Sequence, residues 1–191
     1  KKAIHAVKNG RNSLNASDIS YTQTPIIFRP EQQAAIDKTK KQFKKGAQML
    51  WNAKMRFGKT LCALRVARDL EMRRTIILTH QLVGGKFDKN NEVFSTDWDF
   101  LIVDEAHEGT RTELGESVIK ELTKANTKVL KLSGTPFNLL DDYTEEETYT
   151  WDYTMEQRAK TEWDLLHMGD PNPYASLPAI NIYTYDLGAL M

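Results

Sequence analysis

The sequence predicts an α/β protein with a mostly parallel sheet and helices on both faces. Three observations lead there. Short apolar runs of strand length alternate with amphipathic stretches of helical period. The runs are apolar at successive residues, as in strands buried on both faces, and show little period-2 alternation. Several end abruptly in turn-forming or acidic residues, where an open α/β sheet presents its carboxyl edge to a ligand.

Residues 1–24 are polar, with scattered Asn, Ser and Gly, and read as a linker or the tail of an upstream element. The ordered body starts at "PIIFRP". "EQQAAIDKTKKQF" reads as a helix, with Ala34, Ala35, Ile36 and Phe43 on one side, lysines on the other and Gly46 as its stop. "AQMLWNA" is a strand. "TLCALRVARDLEM" is a helix with a stripe of Leu61, Leu64, Val66, Ala67 and Leu70. "RRTIILTH" holds a second strand over 75–79, and "FLIVDEAH" a third over 100–103. "ESVIKELTKA" reads as a helix, and "TKVLKLSGTPF" as a strand ending in a turn. Beyond Pro136 the chain becomes acidic and aromatic. A helix is expected near 154–166, and "AINIYTYDL" is a candidate last strand. The expected division is a tail over 1–24, the main domain over 25–140 and an extension over 141–191.

The chain has 191 residues, enough for one ordinary domain with an appendage. No apolar run reaches the roughly 18 residues of a membrane span. The start, Lys1-Lys2-Ala3, has no signal-peptide character and no initiator Met. It therefore reads as part of a longer protein, and a cytoplasmic location is expected. The single Cys62 excludes an internal disulfide framework, and four His with one Cys argue against structural zinc. Net charge is zero, yet residues 1–75 hold 17 Lys and Arg against 5 Asp and Glu, and residues 76–191 hold 9 against 21. The basic excess peaks in "KTKKQFKKG", either the solvated face of a helix or a contact for an anionic partner such as phosphate.

Four short segments can carry chemistry. "AKMRFGKT" lies between a predicted strand and a predicted helix, where backbone N–H groups and the helix dipole attract anions. Gly58 lets the backbone approach a phosphate, Lys59 brings a point charge, and the Thr60 hydroxyl can ligate Mg²⁺. The alternative is an ordinary helix start, since Ala53 stands where the usual phosphate loop has Gly. In "LIVDEAH", Asp104 and Glu105 emerge where the strand ends, suited to holding Mg²⁺ and orienting an attacking water. A plain helix N-cap is the other reading. "KLSGTPF" puts the hydroxyls of Ser133 and Thr135 at the same edge, or is simple turn chemistry. In "FRPEQQAAI", Gln32 has an amide that both donates and accepts, as reading an adenine edge requires, or it is an exposed helical residue.

These segments occur in one order: Arg-Pro-x-Gln, Gly-Lys-Thr, Asp-Glu-Ala-His, Ser-Gly-Thr. Together they resemble the first RecA-like domain of a superfamily 2 DEAD/DEAH-box helicase or translocase. The Arg-Pro-x-Gln-Gln entry and the tail "SGTPFNLLDD…YTWDY" look most like the motors of type III and type I restriction subunits and related bacterial or phage helicase-like proteins. The resemblance covers about residues 26–140. It implies a RecA-like P-loop NTPase fold that binds ATP and Mg²⁺. It further implies that Gln32 reads adenine and that Ala53, Lys54, Met55, Arg56, Phe57, Gly58, Lys59 and Thr60 form the phosphate loop, in which this superfamily commonly begins with Ala. Lys59 would bind the β- and γ-phosphates, Thr60 and Asp104 the Mg²⁺, and Glu105 would be the general base. His107, Ser133 and Thr135 would couple the nucleotide to the nucleic-acid grip. The implied partners are nucleic acid (DNA in preference to RNA, with little sequence dependence), a second RecA-like domain of the parent chain, and nuclease or methylation subunits.

Three departures stand out. Met55, Arg56 and Phe57 are bulky where relatives often carry small residues. Only 23 residues, 81–103, separate His80 from Asp104, so "HQLVGGKF" reads as a join across a shortened segment. Nothing after residue 140 resembles the second RecA-like domain with its arginine finger, so these residues are expected to bind nucleotide but hydrolyse it slowly. A regulatory nucleotide-binding module and a scaffold with a degenerate site are the rival readings; the presence of Glu105 favours catalysis. The tail aromatics Tyr143, Tyr149, Trp151, Tyr153 and Trp163 are expected to pack rather than stack bases, and Trp51 and Cys62 to lie in the core.

Overall fold

The computed structural model describes residues 25–79, 92–106, 113–137 and 139–181. His80, Gln81, His107 and the candidate strand within 180–187 fall wholly or mostly outside these residues.

The first helix, α1, spans Pro30–Gln42, with Pro at its start, where a missing N–H and a fixed φ are favourable. It stops where Gly46 N donates to Gln42 O at 2.8 Å. The following elements are β1 (Gln48–Ala53), α2 (Lys59–Asp69), β2 (Thr75–Leu78), the single-turn α3 (Glu92–Ser95), β3 (Phe100–Val103), α4 (Glu113–Leu122) and β4 (Lys128–Ser133). A 3₁₀ turn, Leu140–Asp142, leads to β5 (Thr148–Trp151) and α5 (Tyr153–Leu166). The five strands form one sheet in the order β2-β3-β4-β1-β5, and every pair is parallel.

Successive residues of the strands point to opposite faces, and both faces are covered. On one, Met49, Trp51, Phe100, Ile102, Leu130 and Leu132 pack with Ala35, Ile36 and Phe43 of and just after α1 and with Cys62, Ala63, Val66 and Ala67 of α2. On the other, Leu50, Leu101, Val103 and Val129 pack with Val118 and Leu122 of α4. Each large side chain buried this way stabilises the fold by about 1.5–3 kcal/mol. The buried Trp51 indole is satisfied, donating through Nε1 to Thr39 Oγ1 at 2.8 Å. The α/β class with a parallel sheet and helices on both faces is therefore as the sequence predicts.

Two helix faces differ from expectation. Ala34 is exposed, and α1 instead buries Ala35, Ile36 and Thr39. In α2 the buried stripe is Lys59, Cys62, Ala63, Val66 and Ala67, leaving Leu61 and Leu64 nearly half exposed. The stripe keeps i, i+3, i+4, i+7, i+8 spacing, but its phase is set by Lys59, which must point back at the loop before it. A fifth strand, β5, is an addition the sequence reading leaves unassigned. It pairs with β1 from Leu50 beside Thr148 to Ala53 beside Trp151.

The basic run of α1 is partly structural. Lys38 Nζ donates to the carbonyls of Glu145 (2.8 Å) and Thr148 (2.6 Å), and Lys40 pairs with Asp69 at 2.8 Å. No helix among the described residues is long and apolar enough to cross a membrane.

Candidate nucleotide-binding site

Parallel pairing brings the carboxyl ends of β1, β4 and β3 to one edge, with Asn52 beside Ser133 and Val103 beside Lys131. The loop after β1 starts at the buried Ala53. Lys54 N donates to Trp151 O at 3.3 Å, and Lys54 Nζ lies 4.1 Å from the centre of the Tyr153 ring. Met55 and Arg56 turn outward and are exposed. Phe57 turns inward, fully buried, with its ring 6.3 Å from Trp51 and 6.2 Å from Tyr149. The bulky tripeptide thus divides into an aromatic anchor and two outward side chains.

Gly58 follows with φ +87°, a left-handed conformation that suits glycine. A Cβ there would also stand 3.0 Å from Gln32 Nε2. Gly58 caps α2, so Lys59 and Thr60 occupy its first turn, at the end that favours anions. Lys59 is buried and donates through Nζ to Ala53 O at 2.9 Å. One of its three ammonium donors is thereby placed across the loop. Gly134 adjoins it: a Cβ at that position would lie 3.9 Å from Lys59 Nζ.

Thr60 Oγ1 donates to Asp104 Oδ2 at 3.1 Å. The other oxygen, Asp104 Oδ1, accepts from Glu105 N at 3.0 Å, and Asp104 N donates to Leu78 O at 2.8 Å. Glu105 has φ +51° and Arg56 φ +66°. Of the three non-glycine residues with positive φ among the described residues, two therefore flank the same edge; the third, Glu71, closes α2. Such conformations concentrate at functional sites. The buried Ser133 accepts from Thr135 N through Oγ at 3.1 Å, holding the Ser-Gly-Thr turn closed.

Gln32 is buried against the loop and not an exposed helical residue. Its Nε2 donates to Phe57 O at 2.6 Å and its Oε1 accepts from Arg29 N at 2.8 Å. An amide has two donor hydrogens and two acceptor lone pairs, so one of each remains for a ligand. Arg29, absent from the sequence-predicted set, also reaches the loop, donating from Nη2 to Phe57 O at 3.3 Å. Its neighbour Glu31 is buried and pairs with Arg29 Nε. Tyr149 and Tyr174 donate their hydroxyls to Glu31 O (2.8 Å) and Glu31 Oε2 (2.7 Å). Burial, chiefly, raises both phenols, Tyr149 to about 12. Burial likewise pushes the Cys62 thiol up to about 12, in keeping with a core residue.

Four of the five tail aromatics pack as expected, while Tyr153 faces Lys54. Tyr149 and Trp151 lie against one core, Tyr143 against the other, and Trp163 stacks on His167 at 4.0 Å. A groove of about 550 Å³ runs beside α1, lined by Asp37, Lys38, Lys41, Gln42, Lys45 and Glu146; none of these belongs to the loop or the acidic pair. The described residues hold no group of three or more His, Cys, Asp or Glu that could hold a metal by itself. A hydroxyl and a single carboxylate fit Mg²⁺, which typically takes one or two carboxylates and completes its shell with water and substrate phosphate.

A parallel sheet, a Gly-Lys-Thr loop between β1 and α2, and an aspartate at the end of β3 within reach of Thr60 define an α/β P-loop fold of the RecA-like kind. No family model matches the chain, and no curated protein matches it. Solved structures do. The Sulfolobus solfataricus SWI2/SNF2 ATPase core in complex with dsDNA is 17% identical over 63% of this chain and 35% of its own, with a TM-score of 0.49. The large terminase of a thermophilic bacteriophage is 11% identical over 75% and 51%, at 0.47. A Walker-type ATPase of Pyrococcus abyssi is 10% identical over 76% and 61%, at 0.46. The chain thus spans between about a third and three fifths of these proteins. All three scores fall below 0.5.

Proposed function

We propose that the chain is the ATP-binding motor domain of a nucleic-acid-dependent ATPase, of the helicase or translocase kind. The observation that carries the nucleotide reading is the meeting of Thr60 Oγ1 and Asp104 Oδ2 at 3.1 Å beside the buried Lys59. Two segments far apart in sequence supply the hydroxyl, carboxylate and ammonium that a Mg²⁺–nucleotide needs, at the dipole-positive end of α2.

The chain's own groups divide the work. Backbone N–H groups around Gly58 face the phosphates. Lys59 moves its free donors onto the outer phosphates while staying close to Ala53 O. Thr60 and Asp104 would hold Mg²⁺, which supplies charge neutralisation on the phosphate oxygens when bound. Glu105 orients the attacking water and takes its proton. Gln32 offers its remaining donor and acceptor to the adenine edge. Ser133 and Thr135, on the turn next to Lys59, pass the state of the phosphates to the nucleic-acid side, and His107 is assigned to the same coupling by resemblance. DNA is the preferred partner because the motif order and tail look most like restriction-type motors. An arginine from a second RecA-like domain, beyond these residues, would be needed for full rate.

The test is titration with a fluorescent ADP in Mg²⁺, beside Lys59→Ala and Asp104→Ala. Saturable binding that weakens in both variants supports the reading. A folded wild-type chain that does not bind overturns it and favours the scaffold.

A further inference from the structure

The buried cluster that joins the start of α1 to the C-terminal segment meets the candidate phosphate loop at Phe57 O. After α5 the chain turns back, and Asn172 fixes the turn. Its Nδ2 donates to Lys160 O and Asp164 Oδ1, both at 2.9 Å, and its Oδ1 accepts from Tyr174 N at 2.8 Å. Lys160 Nζ adds a bond to Leu177 O at 2.9 Å. Tyr174, 3% exposed, sits edge-on to Trp163 with ring centres 6.0 Å apart. The turn and α5 are one unit.

From that unit the Tyr174 hydroxyl reaches Glu31 Oε2, while Glu31 Oε1 holds Arg29 Nε. The Arg29 guanidinium lies 5.8 Å from the centre of the Tyr174 ring. Arg29 and Gln32 then converge on one acceptor, Phe57 O, which immediately precedes Gly58. Each oxygen of the Glu31 carboxylate is thus occupied, and the residue is 4% exposed, so its orientation is fixed from both sides. A recognition side chain discriminates only as well as its supporting groups hold it.

We infer that Tyr174 is a positioning residue for base recognition: through Glu31 and Arg29 it holds Gln32 in the orientation that selects an adenine nucleotide, tying selection to the placement of α5. This rests on the nucleotide reading above. The side chains assigned to phosphate, Lys59 and Thr60, bond instead to Ala53 O and Asp104 Oδ2. Loss of the Tyr174 hydroxyl therefore separates the two.

The experiment is displacement of fluorescent ADP from the full 191-residue chain by ATP, GTP and inorganic tripolyphosphate in Mg²⁺, for wild type, Tyr174→Phe and Lys59→Ala. In Tyr174→Phe the preference for ATP over GTP falls about tenfold, the worth of one well-oriented hydrogen bond to the base, and tripolyphosphate competes as in wild type. Lys59→Ala weakens all three competitors together. An unchanged ATP-to-GTP ratio in Tyr174→Phe overturns the inference alone. Equal loss of all three ligands in Tyr174→Phe also overturns it, by showing a general structural role. A wild type that binds none of them removes the nucleotide reading and this inference with it.

Discussion

Thr60 Oγ1 and Asp104 Oδ2 stand 3.1 Å apart although they lie 44 positions apart in the chain. The sheet makes the contact: β4 lies between β1 and β3, and residues that follow those two strands meet at their carboxyl ends. Thr60→Val keeps the shape and deletes the donor. Affinity for fluorescent ADP in Mg²⁺ should then fall to about its value in EDTA, roughly a tenfold loss. A ratio of Mg²⁺ to EDTA affinities equal to that of wild type would sink the metal assignment.

Glu105 is held with φ +51° and its backbone N–H on Asp104. Glu105→Gln preserves size and hydrogen bonding but cannot accept a proton. Phosphate release under single-turnover conditions should slow by about 10² or more, while the affinity for ADP stays within about twofold of wild type. Parallel loss of rate and affinity would mean that Glu105 builds the site instead of serving as its base.

Gly58→Ala meets two penalties at once. The left-handed conformation costs a non-glycine residue about 1–2 kcal/mol, and the new methyl would press on Gln32 Nε2 at 3.0 Å. The variant should melt several degrees lower and lose nucleotide binding. In a Gln32→Ala background the same substitution should cost less, because only the backbone term remains. Equal costs in both backgrounds would show that the two residues do not touch.

Asp69 joins α1 to α2 through Lys40 at 2.8 Å and Arg65 at 2.7 Å. Lys40 first, then Arg65, hold its carboxyl below the ordinary 3.8. A depressed carboxyl stabilises the fold fully above its unfolded value, and the contribution fades as pH falls through the folded one. Asp69→Asn should therefore lower stability by about 1 kcal/mol near neutrality, as expected for partly exposed ion pairs. The gap in melting temperature should close below pH 3.8. A gap that widened in acid would contradict the sign.

What the sequence made legible follows from physics that is local. Phe100, Leu101, Ile102 and Val103 are apolar in a row because both sheet faces are covered, and such a run is visible without a structure. The Gly58-Lys59-Thr60 turn between β1 and α2 is visible for the same kind of reason, since its residues are adjacent in the chain. The strand Thr148–Trp151 escaped because its residues are all only half-buried and it is held largely by backbone pairing to β1; its Thr, Tyr and Trp content was the available signal. Leu61 and Leu64 misled because two leucines outweigh Cys62 and Ala63 in any apolar count, although close packing against β1 and β4 favours the smaller pair. The contact of Tyr174 with Glu31 spans 143 residues and leaves no local pattern at all.

β1, the strand that leads into the Gly-Lys-Thr loop, is bonded along its outer side by residues that follow every recognisable motif. Leu50 N reaches Glu147 O at 2.7 Å, and Lys54 N reaches Trp151 O. A chain trimmed at the last motif would lay bare that side of β1, a row of unpaired amides and carbonyls of the kind that templates aggregation. The version of this protein most prone to clump would therefore be the one cut to contain only what a motif scan recognises.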